Sequence, residues 1–211
     1  MKIEFVSDVA CPWCAVGLAS LEQALARVGD AVPVELHFEP FELNPDMRPE
    51  GEDTTAYLSK KYGAPPAQLA QSRAALRERG AAVGFAFGER PRVWNTFDAH
   101  RLLHWAGLED LAKQRALKHA LLAAYHTHAE NPGARDVLLR AARESGLDVD
   151  RAAAILDSDE FAAEVRARER HWQQLGIHSV PAIVIDGRHL ISGGQPPEVF
   201  ERALRELAAA R

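Results

Sequence analysis

The stretch SDVACPWCAVG, residues 7–17, decides the fold, because it holds both cysteines of the chain with two residues between them. The residues before the cysteines, KIEFVS (2–7), have the composition of a short strand. The residues that follow, PWCAVGLASLEQALARVGD (12–30), repeat apolar side chains at helical spacing. Cys11 and Cys14 are therefore predicted at the junction between a strand and a helix.

The spacing of the two cysteines suits reversible disulfide chemistry. Positions three apart on a helix place their Cβ atoms about 5 to 6 Å apart, and a disulfide tolerates Cα separations of about 4.4 to 6.8 Å. Pro12 suits the first helical position and Gly29 the end of the helix. Cys11 then precedes the first turn, where unpaired N–H groups favour an anion. We expect Cys11 to be the nucleophile, with a lowered pKa, and Cys14 to be the less exposed resolving thiol.

The hydrophobic pattern changes twice farther along the chain. VPVELHFEPFEL (32–43) alternates apolar and polar residues as a half-buried strand does. No strand pattern occurs from Asn44 to about Asp157, where alanine-rich helices are predicted. The connector GFAFGERPRVW (84–94) within this region matches neither a helix nor a strand pattern. A capping Ser158 is predicted to open the next helix. The predicted helices are 53–62, 66–83, 95–106, 108–128, 134–145, 149–157, 160–176 and 198–210, and the later strands are 181–186 and 189–192.

This order of elements predicts a β-α-β half and an α-β-β-α half separated by helices. A C-x-x-C pair beside a β-α-β pattern in a cytosolic protein is typical of a thioredoxin-like redox motif. We therefore expect an α/β thioredoxin fold with an inserted all-helical domain. Residues 1–43 and 158–211 would form the discontinuous thioredoxin-like domain, and residues 44–157 the insertion.

Composition limits the possible partners and the compartment. A chain of 211 residues can bury roughly 70% of its unfolded surface, so it can fold without a disulfide or metal. The net charge of -5, with acidic and basic residues interspersed, argues against nucleic acid or an anionic membrane as partner. MKIEFVSDVA (1–10) lacks the apolar stretch of a signal peptide, and no apolar run approaches a membrane span. We expect a cytoplasmic protein.

Two plainer interpretations of the cysteines stay open at this point. Free cysteines are often buried hydrophobic residues, although a pair flanking Pro-Trp at a strand-to-helix junction is harder to explain that way. Two cysteines could also supply half of a tetrahedral metal site, with histidines as the other ligands. The candidates are His100, His104, His126 and His128, but no glutamate follows His100 in an H-E-x-x-H arrangement. We expect no metal.

The whole chain resembles a known family. SDVACPWC (7–14), FEPFELNP (38–45), NTFDAHRL (95–102) and GIHSVPAIVIDGRHLISGGQP (176–196) together are similar to the DsbA-type thioredoxin-fold oxidoreductases. Within them the FrnE-like branch, named from dithiol-disulfide isomerases of polyketide biosynthesis, is the most similar. The resemblance implies a thioredoxin fold with a helical insertion, and thiol-disulfide exchange through the two cysteines.

The resemblance also implies a cis proline facing the redox cysteines, at Val180-Pro181. Only about 5 to 6% of X-Pro bonds in folded proteins are cis, so the residues alone would not predict it. A cis peptide before a strand would expose the Val180 backbone, which could pair with an extended substrate segment. Pro181 is thus expected in the catalytic centre, and Val180 in the substrate-docking loop.

The two residues between the cysteines depart from the periplasmic relatives, which carry Pro-His where this chain carries Pro12 and Trp13. An imidazole can favour a thiolate by charge, whereas an indole offers a neutral N–H and an apolar face. We therefore expect a less acidic Cys11 and a less oxidising couple. A dithiol that is often reduced in the cytoplasm would suit the reduction or isomerisation of client disulfides.

Further candidates for substrate contact lie outside the redox motif. In related proteins the motif around Asn95, Phe97, His100 and Arg101 approaches the redox centre, although capping by Asn95 and packing by Phe97 explain these residues equally well. His178 lies three residues before the expected cis proline. SGGQPP (192–197), with Gly194 and Gln195, is either a seat for a carboxylate at a helix N-terminus or an ordinary loop. Asp8 either caps the active-site turn or is solvated.

Two other function classes compete with disulfide exchange. Kappa-class glutathione transferases and 2-hydroxychromene-2-carboxylate isomerases are similar in outline, but their pattern resembles S-P-Y-S where this chain has C-P-W-C at 11–14. The second thiol, which glutathione activation does not need, favours exchange. A non-catalytic holdase with an apolar groove around Trp13 is the other alternative. We expect no tightly bound cofactor besides a redox-active Cys11–Cys14 disulfide, glutathione as a candidate reductant or co-substrate, and protein or small-molecule thiols and disulfides as partners.

Overall fold

The computed structural model describes residues 1–210. Arg211, the last residue of the predicted segment 158–211, lies outside the described residues. Short strands and nine α-helices make up most of this range. The strands are β1 (Lys2–Ser7), β2 (Glu35–Pro40), β3 (Glu52–Asp53), β4 (Arg92–Val93), β5 (Ala182–Ile185) and β6 (His189–Ser192). The helices are α1 (Pro12–Val28), α2 (Thr54–Tyr62), α3 (Pro66–Ala82), α4 (Phe97–Glu109), α5 (Leu111–His126), α6 (Arg135–Glu144), α7 (Val149–Leu156), α8 (Ala162–Gln174) and α9 (Pro197–Ala209).

Four strands form the main sheet in the order β2-β1-β5-β6. Strand β1 runs parallel to β2 and antiparallel to β5, and β5 runs antiparallel to β6. Phe5 at the middle of β1 pairs with Phe38 on one side and Ile183 on the other. The parallel pair needs a crossover connection, which α1 supplies. The cysteines therefore lie at the end of a central strand, where the chain enters α1.

The helices cover the sheet on both sides of the cysteine segment. Helix α1 packs against α9, while α4, α5 and α8 pack against β2. One apolar cluster combines β1, α1 and α9 residues with Cys11, Cys14 and Leu122 of α5. A second apolar cluster joins α4, α5, α6 and α7 and receives Val9 from the cysteine segment. The sheet and the helical insertion thus meet directly beside the redox motif.

This architecture confirms the predicted thioredoxin fold with a helical insertion, and the predicted elements agree with the observed ones to within a few residues at most ends. The strand predicted over 32–43 is shorter, spanning Glu35–Pro40, although its alternating burial is as expected. The predicted boundaries of the inserted domain, at 43/44 and 157/158, remain a prediction.

Two local predictions are wrong. The region from Asn44 to Asp157 does contain strands, because β3 and β4 pair as Glu52 with Val93 and Asp53 with Arg92. Two-residue strands are too short to show an alternating pattern. Ser158 does not cap the next helix, because α8 starts only at Ala162; the Ser158 hydroxyl donates back to the Ala154 carbonyl and accepts from the Glu160 N–H in the turn between the helices. Helix α8 instead begins after Phe161, which has a left-handed conformation with φ 63°.

Within residues 1–210, no helix combines the length and apolar character that a membrane crossing requires.

Candidate active site

The redox motif forms a tight turn into α1. Cys11 is the N-cap residue, Pro12 opens the helix, and the Cys14 N–H donates to the Cys11 carbonyl over 3.1 Å. Both thiols are free, with 4% of Cys11 and 0% of Cys14 exposed to solvent. Cys11 is thus the outer sulfur and Cys14 the inner one, as the sequence predicts.

The two thiols have opposite acid-base character. A hydrogen bond from the Cys14 thiol, with the N–H groups of Cys14 and Trp13, lowers the pKa of Cys11 despite burial and the nearby Asp8 charge, which raise it. Burial, followed by the interaction with Cys11, raises the pKa of Cys14 well above its ordinary value. The predicted contribution of the helix N-terminus is therefore present as N–H hydrogen bonds, but the Cys14 thiol contributes most. This arrangement makes Cys11 the sulfur that ionises first and keeps the proton on Cys14.

The loop before β5 faces Cys11. The Val180–Pro181 peptide bond is cis, and the Cys11 thiol donates to the Val180 carbonyl over 3.5 Å. Gly17 permits this approach, because a Cβ at that position would lie 3.0 Å from Pro181 Cγ and 3.4 Å from Gly194 Cα. Of the predicted site residues, the structure brings together the two cysteines, Val180, Pro181 and Gly194.

Two exposed aromatic side chains belong to the surroundings of the redox motif. Trp13 is 41% exposed and Tyr62, the last residue of α2, is 64% exposed. Burial raises the pKa of Tyr62, and the Cys11 charge adds to that rise, which places the phenol within electrostatic range of the sulfur. Tyr62 was not a sequence candidate, because nothing in the local pattern of α2 indicates which end faces the cysteines.

Asp8 links the cysteine segment to the chain after β2, at Leu43, and to the helical insertion, at Thr96. Its fully buried carboxylate accepts from the Ala10 N–H (3.0 Å), the Leu43 N–H (2.7 Å) and the Thr96 hydroxyl (2.8 Å), and His100 Nε2 lies 3.4 Å away. Burial raises the pKa of Asp8, but the contacts with His100 and the N–H groups outweigh it, so that the pKa is lowered. Asp8 is therefore a buried anion that fixes the active-site turn against the helical insertion.

Other sequence candidates lie in different surroundings. The Asn95 side chain accepts from the Phe97 N–H (2.8 Å) and donates to the Met47 carbonyl (3.2 Å), just before Thr96, the N-cap residue of α4. The Phe97 ring lies under the Arg166 guanidinium, 3.9 Å from it. His178 is exposed on the loop before the cis proline, and the Gln195 side chain donates to the Ser192 carbonyl over 2.8 Å. His100 reaches the site through Asp8 and is itself buried.

Helix α5 contributes two buried polar residues: His126, which the sequence indicated only as a candidate metal ligand, and Lys118, which was not a candidate. His126 Nε2 lies 2.8 Å from the Val9 carbonyl, and burial, with the Arg90 charge, lowers its pKa well below the ordinary value. Lys118, two turns earlier, is 1% exposed and acts electrostatically on Cys14. The only available signal was a polar residue at two positions of an otherwise apolar helix face, which is weak on its own.

Within residues 1–210, no group of three or more His, Cys, Asp or Glu side chains is placed to hold a metal ion. Three of the four histidines considered above have separate partners: His100 contacts Asp8, the His104 ring lies beside Phe161, and His126 contacts Val9.

Comparisons with known proteins agree with this geometry. A probable DsbA oxidoreductase from Streptomyces coelicolor is 36% identical, with a TM-score of 0.89 over 100% of this chain and 91% of that chain. The uncharacterized protein YwbO of Bacillus subtilis is 27% identical over 209 residues, which are 98% of this chain and 96% of YwbO.

A 2-hydroxychromene-2-carboxylate isomerase structure is 13% identical, with a TM-score of 0.75 over 100% of this chain and 97% of that chain, which shows a likeness of fold alone. The model of the DSBA-like thioredoxin domain matches residues 2–205. The cysteine pair and the cis-proline loop lie at the same edge of the sheet. The chain belongs to the DSBA-like thioredoxin domain family.

Proposed function

We propose that this protein is a dithiol-disulfide oxidoreductase that reduces or isomerises disulfides through Cys11 and Cys14. The observation that carries the proposal is the geometry of the thiol pair: Cys11 is the N-cap of α1 and faces the cis Val180–Pro181 loop, and Cys14 lies fully buried behind it. The pKa shifts, lowered for Cys11 and raised for Cys14, agree with this division. Thiol-disulfide exchange needs a thiolate as the attacking group. A pair in which the outer sulfur ionises more readily than the inner one can therefore attack first and resolve afterwards.

The proposed reaction has two steps. The Cys11 thiolate attacks one sulfur of the substrate disulfide, forming a mixed disulfide and releasing the other sulfur as a thiolate that takes a proton from water. Cys14 then loses its proton and attacks the Cys11 sulfur. The products are a Cys11–Cys14 disulfide and a fully reduced substrate, so two electrons pass from the protein to the substrate. A second disulfide exchange with a reductant such as glutathione returns the dithiol.

Substrate docking is proposed at the loop before β5. The Val180 carbonyl lies 3.5 Å from the Cys11 sulfur, and an extended peptide could add to this backbone as strands do. Trp13 and Tyr62 would contact the residues that flank the substrate disulfide. Pro12, His178, Asn95, Phe97, His100, Gly194 and Gln195 remain weaker proposals for substrate contact.

Direction and compartment are part of the proposal. Trp13 supplies no charge to stabilise the Cys11 thiolate, which favours a milder couple than a Pro-His motif would give. We propose a reductase or isomerase of the FrnE-like branch, acting in the cytoplasm on protein or small-molecule disulfides.

Substitution Cys11→Ser separates this function from its two rivals. Disulfide exchange requires the sulfur, so reduction of a glutathione-peptide mixed disulfide should fall to background. A glutathione transferase or isomerase would retain glutathione binding, and a holdase would still suppress aggregation of a denatured client. The proposal fails if wild-type protein has no exchange activity or if the variant keeps it.

A further inference from the structure

A single lysine lies in the apolar layer beneath the cysteines. Lys118 is 1% exposed, and its ammonium lies 5.9 Å from the centre of the Phe38 ring. One turn earlier on α5, Gln114 hydrogen-bonds both the N–H and the carbonyl of Phe38, each over 3.1 Å. One turn later, Leu122 belongs to the apolar cluster that contains Cys11 and Cys14. The register of α5 therefore directs Lys118 toward β2 and the cysteine segment.

The ammonium is not part of a direct ion pair among the described residues, and the charges of Cys14, Asp8 and Cys11 act on it only from a distance. Within residues 1–210, Lys118 forms neither a salt bridge nor a side-chain hydrogen bond. The Asp8 carboxylate, whose charge acts on Lys118, is already occupied by the Ala10, Leu43 and Thr96 donors. The titratable groups that face Lys118 from the surrounding elements are Asp8, Cys11, Cys14, Glu39, His100, His104 and His126.

Burying an unpaired ammonium is unfavourable, and the group responds by becoming neutral more easily. Burial accordingly lowers the pKa of Lys118, while the charges of Cys14, Asp8 and Cys11 oppose that change. The neighbouring Cys14 thiol is shifted in the opposite direction. A thiol and an amine whose pKa values approach each other are suited to exchange a proton.

We propose that Lys118 accepts the proton of Cys14 when Cys14 resolves the mixed disulfide. In this step the neutral Lys118 amine takes the Cys14 proton, the Cys14 sulfur bonds to the Cys11 sulfur, and the substrate sulfur leaves as a thiolate. The flexible four-carbon stem of a lysine allows Nζ to approach the sulfur. The inference rests on the proposed exchange function and adds a residue of the helical insertion to its machinery.

The test uses the disulfide 5,5'-dithiobis(2-nitrobenzoate) with the full-length reduced protein. Attack by Cys11 releases one thionitrobenzoate, and resolution by Cys14 releases a second, so a stopped-flow absorbance trace separates the two steps. In Lys118→Met we expect the second release to slow on the order of 10²-fold near neutral pH. The first release should keep its amplitude and change far less. Lys113→Met, on the same helix, is the matched control and should behave as wild type.

Lys118→Arg separates a proton acceptor from a fixed charge. Arginine retains the positive charge but does not lose its proton in proteins, so its second release should stay slow. A wild-type second phase in Lys118→Met, or its restoration by Lys118→Arg, would overturn the proposal. Absence of any second release from wild-type protein would instead reject the exchange function itself.

A measurement on the unaltered protein covers the case in which these variants do not fold. The chain has five lysines, so ¹³C-lysine labelling gives five ε-carbon signals. Lys118 can be assigned by substituting Lys2, Lys60, Lys61 and Lys113 in turn. We expect its signal to titrate at lower pH than the other four, and titration together with them would contradict a role as base.

Discussion

At the scale of single residues, the site depends on how two identical thiols are made unequal. Cys11 gains hydrogen bonds at the start of α1, whereas Cys14 is enclosed by the apolar cluster. Asp8 works against the first effect, because its buried charge raises the pKa of Cys11. The Asp8 carboxylate therefore has two effects: its hydrogen bonds hold the cysteine segment in place, and its charge makes the Cys11 thiol less acidic.

Removing that charge should make Cys11 more acidic. In Asp8→Asn we expect the pH profile of Cys11 alkylation by iodoacetamide, followed by mass spectrometry, to move to lower pH. The variant should also lose stability, by about 2 kcal/mol, because hydrogen bonds to a charged group contribute about 1.5 to 3 kcal/mol each. Asp30→Asn, at an exposed position beyond the far end of α1, is the control. An unchanged or upward-shifted profile in Asp8→Asn would disprove the assigned role of Asp8.

Trp13 offers a second test at this scale. An imidazolium at this position would stabilise the Cys11 thiolate by charge, and with it the reduced form of the pair. We therefore expect Trp13→His to be a stronger oxidant than wild type in equilibrium with glutathione, measured from the fraction of protein in the disulfide form. A wild-type couple already as oxidising as the variant would refute the assignment as a mild reductase or isomerase.

At the scale of elements, three segments distant in sequence converge on the start of α1. Helix α5 is fixed to β2 by Gln114, which bonds both backbone groups of Phe38 and the Leu103 carbonyl. The loop before β5 reaches Cys11 from the other side. The contact between this loop and α1 requires a glycine at position 17.

Gly17→Ala tests that contact. Alanine is the better helix former by about 1 kcal/mol, but its Cβ would meet Pro181 and Gly194. We expect the loop to be displaced, so that kcat/KM for a peptide disulfide falls severalfold while attack on a small disulfide changes little. Ala26→Ser adds one atom at an exposed position of the same helix and should leave the rates with the peptide disulfide and with the small disulfide unchanged. Equal rates for both substrates in Gly17→Ala would mean that the loop does not dock peptides.

At the scale of the whole molecule, an ionic cluster links α8 to the chain after β2 and reaches the helical insertion through Phe97. Arg166 of α8 contacts Glu42 and Glu169, with 2.9 Å to the latter, and covers Phe97 of α4. Burial, with the Glu169 charge, raises the pKa of Glu42 from 4.5 to about 8 in spite of Arg166. One buried oxygen of each glutamate lacks a hydrogen-bond partner among the described residues, which fits a carboxyl that is protonated at neutral pH.

This cluster makes stability depend on pH in a defined direction. Between pH 4.5 and about 8 the native Glu42 binds more protons than the unfolded one. The free energy of unfolding should therefore fall as pH rises through this window. Glu42→Gln removes the titration, so the difference in melting temperature between variant and wild type should grow from pH 5 to pH 8 in favour of the variant. Glu35→Gln, on an exposed side chain of β2, is the control, and parallel pH curves for wild type and Glu42→Gln would exclude the effect.

The sequence was informative where chemistry is local. The strand, the two cysteines and the helix form one continuous stretch, so their spacing alone indicates the redox pair and its order of action. The resemblance to a family added the cis proline, which no local pattern predicts. Lys118, Thr96 and Tyr62 were missed because their partners lie far away in the chain, and only the packing of the insertion against the sheet brings them to the cysteines.

The central claim is that Cys11 forms a mixed disulfide that Cys14 resolves. The most direct measurement is mass spectrometry of Cys14→Ala after incubation with oxidised glutathione, compared with wild type and with Cys11→Ser. We predict a stable glutathione adduct on Cys11 of Cys14→Ala, an internal disulfide without lasting adduct in wild type, and no adduct in Cys11→Ser. Recovery of Cys14→Ala with Cys11 unmodified and still open to alkylation would contradict the account.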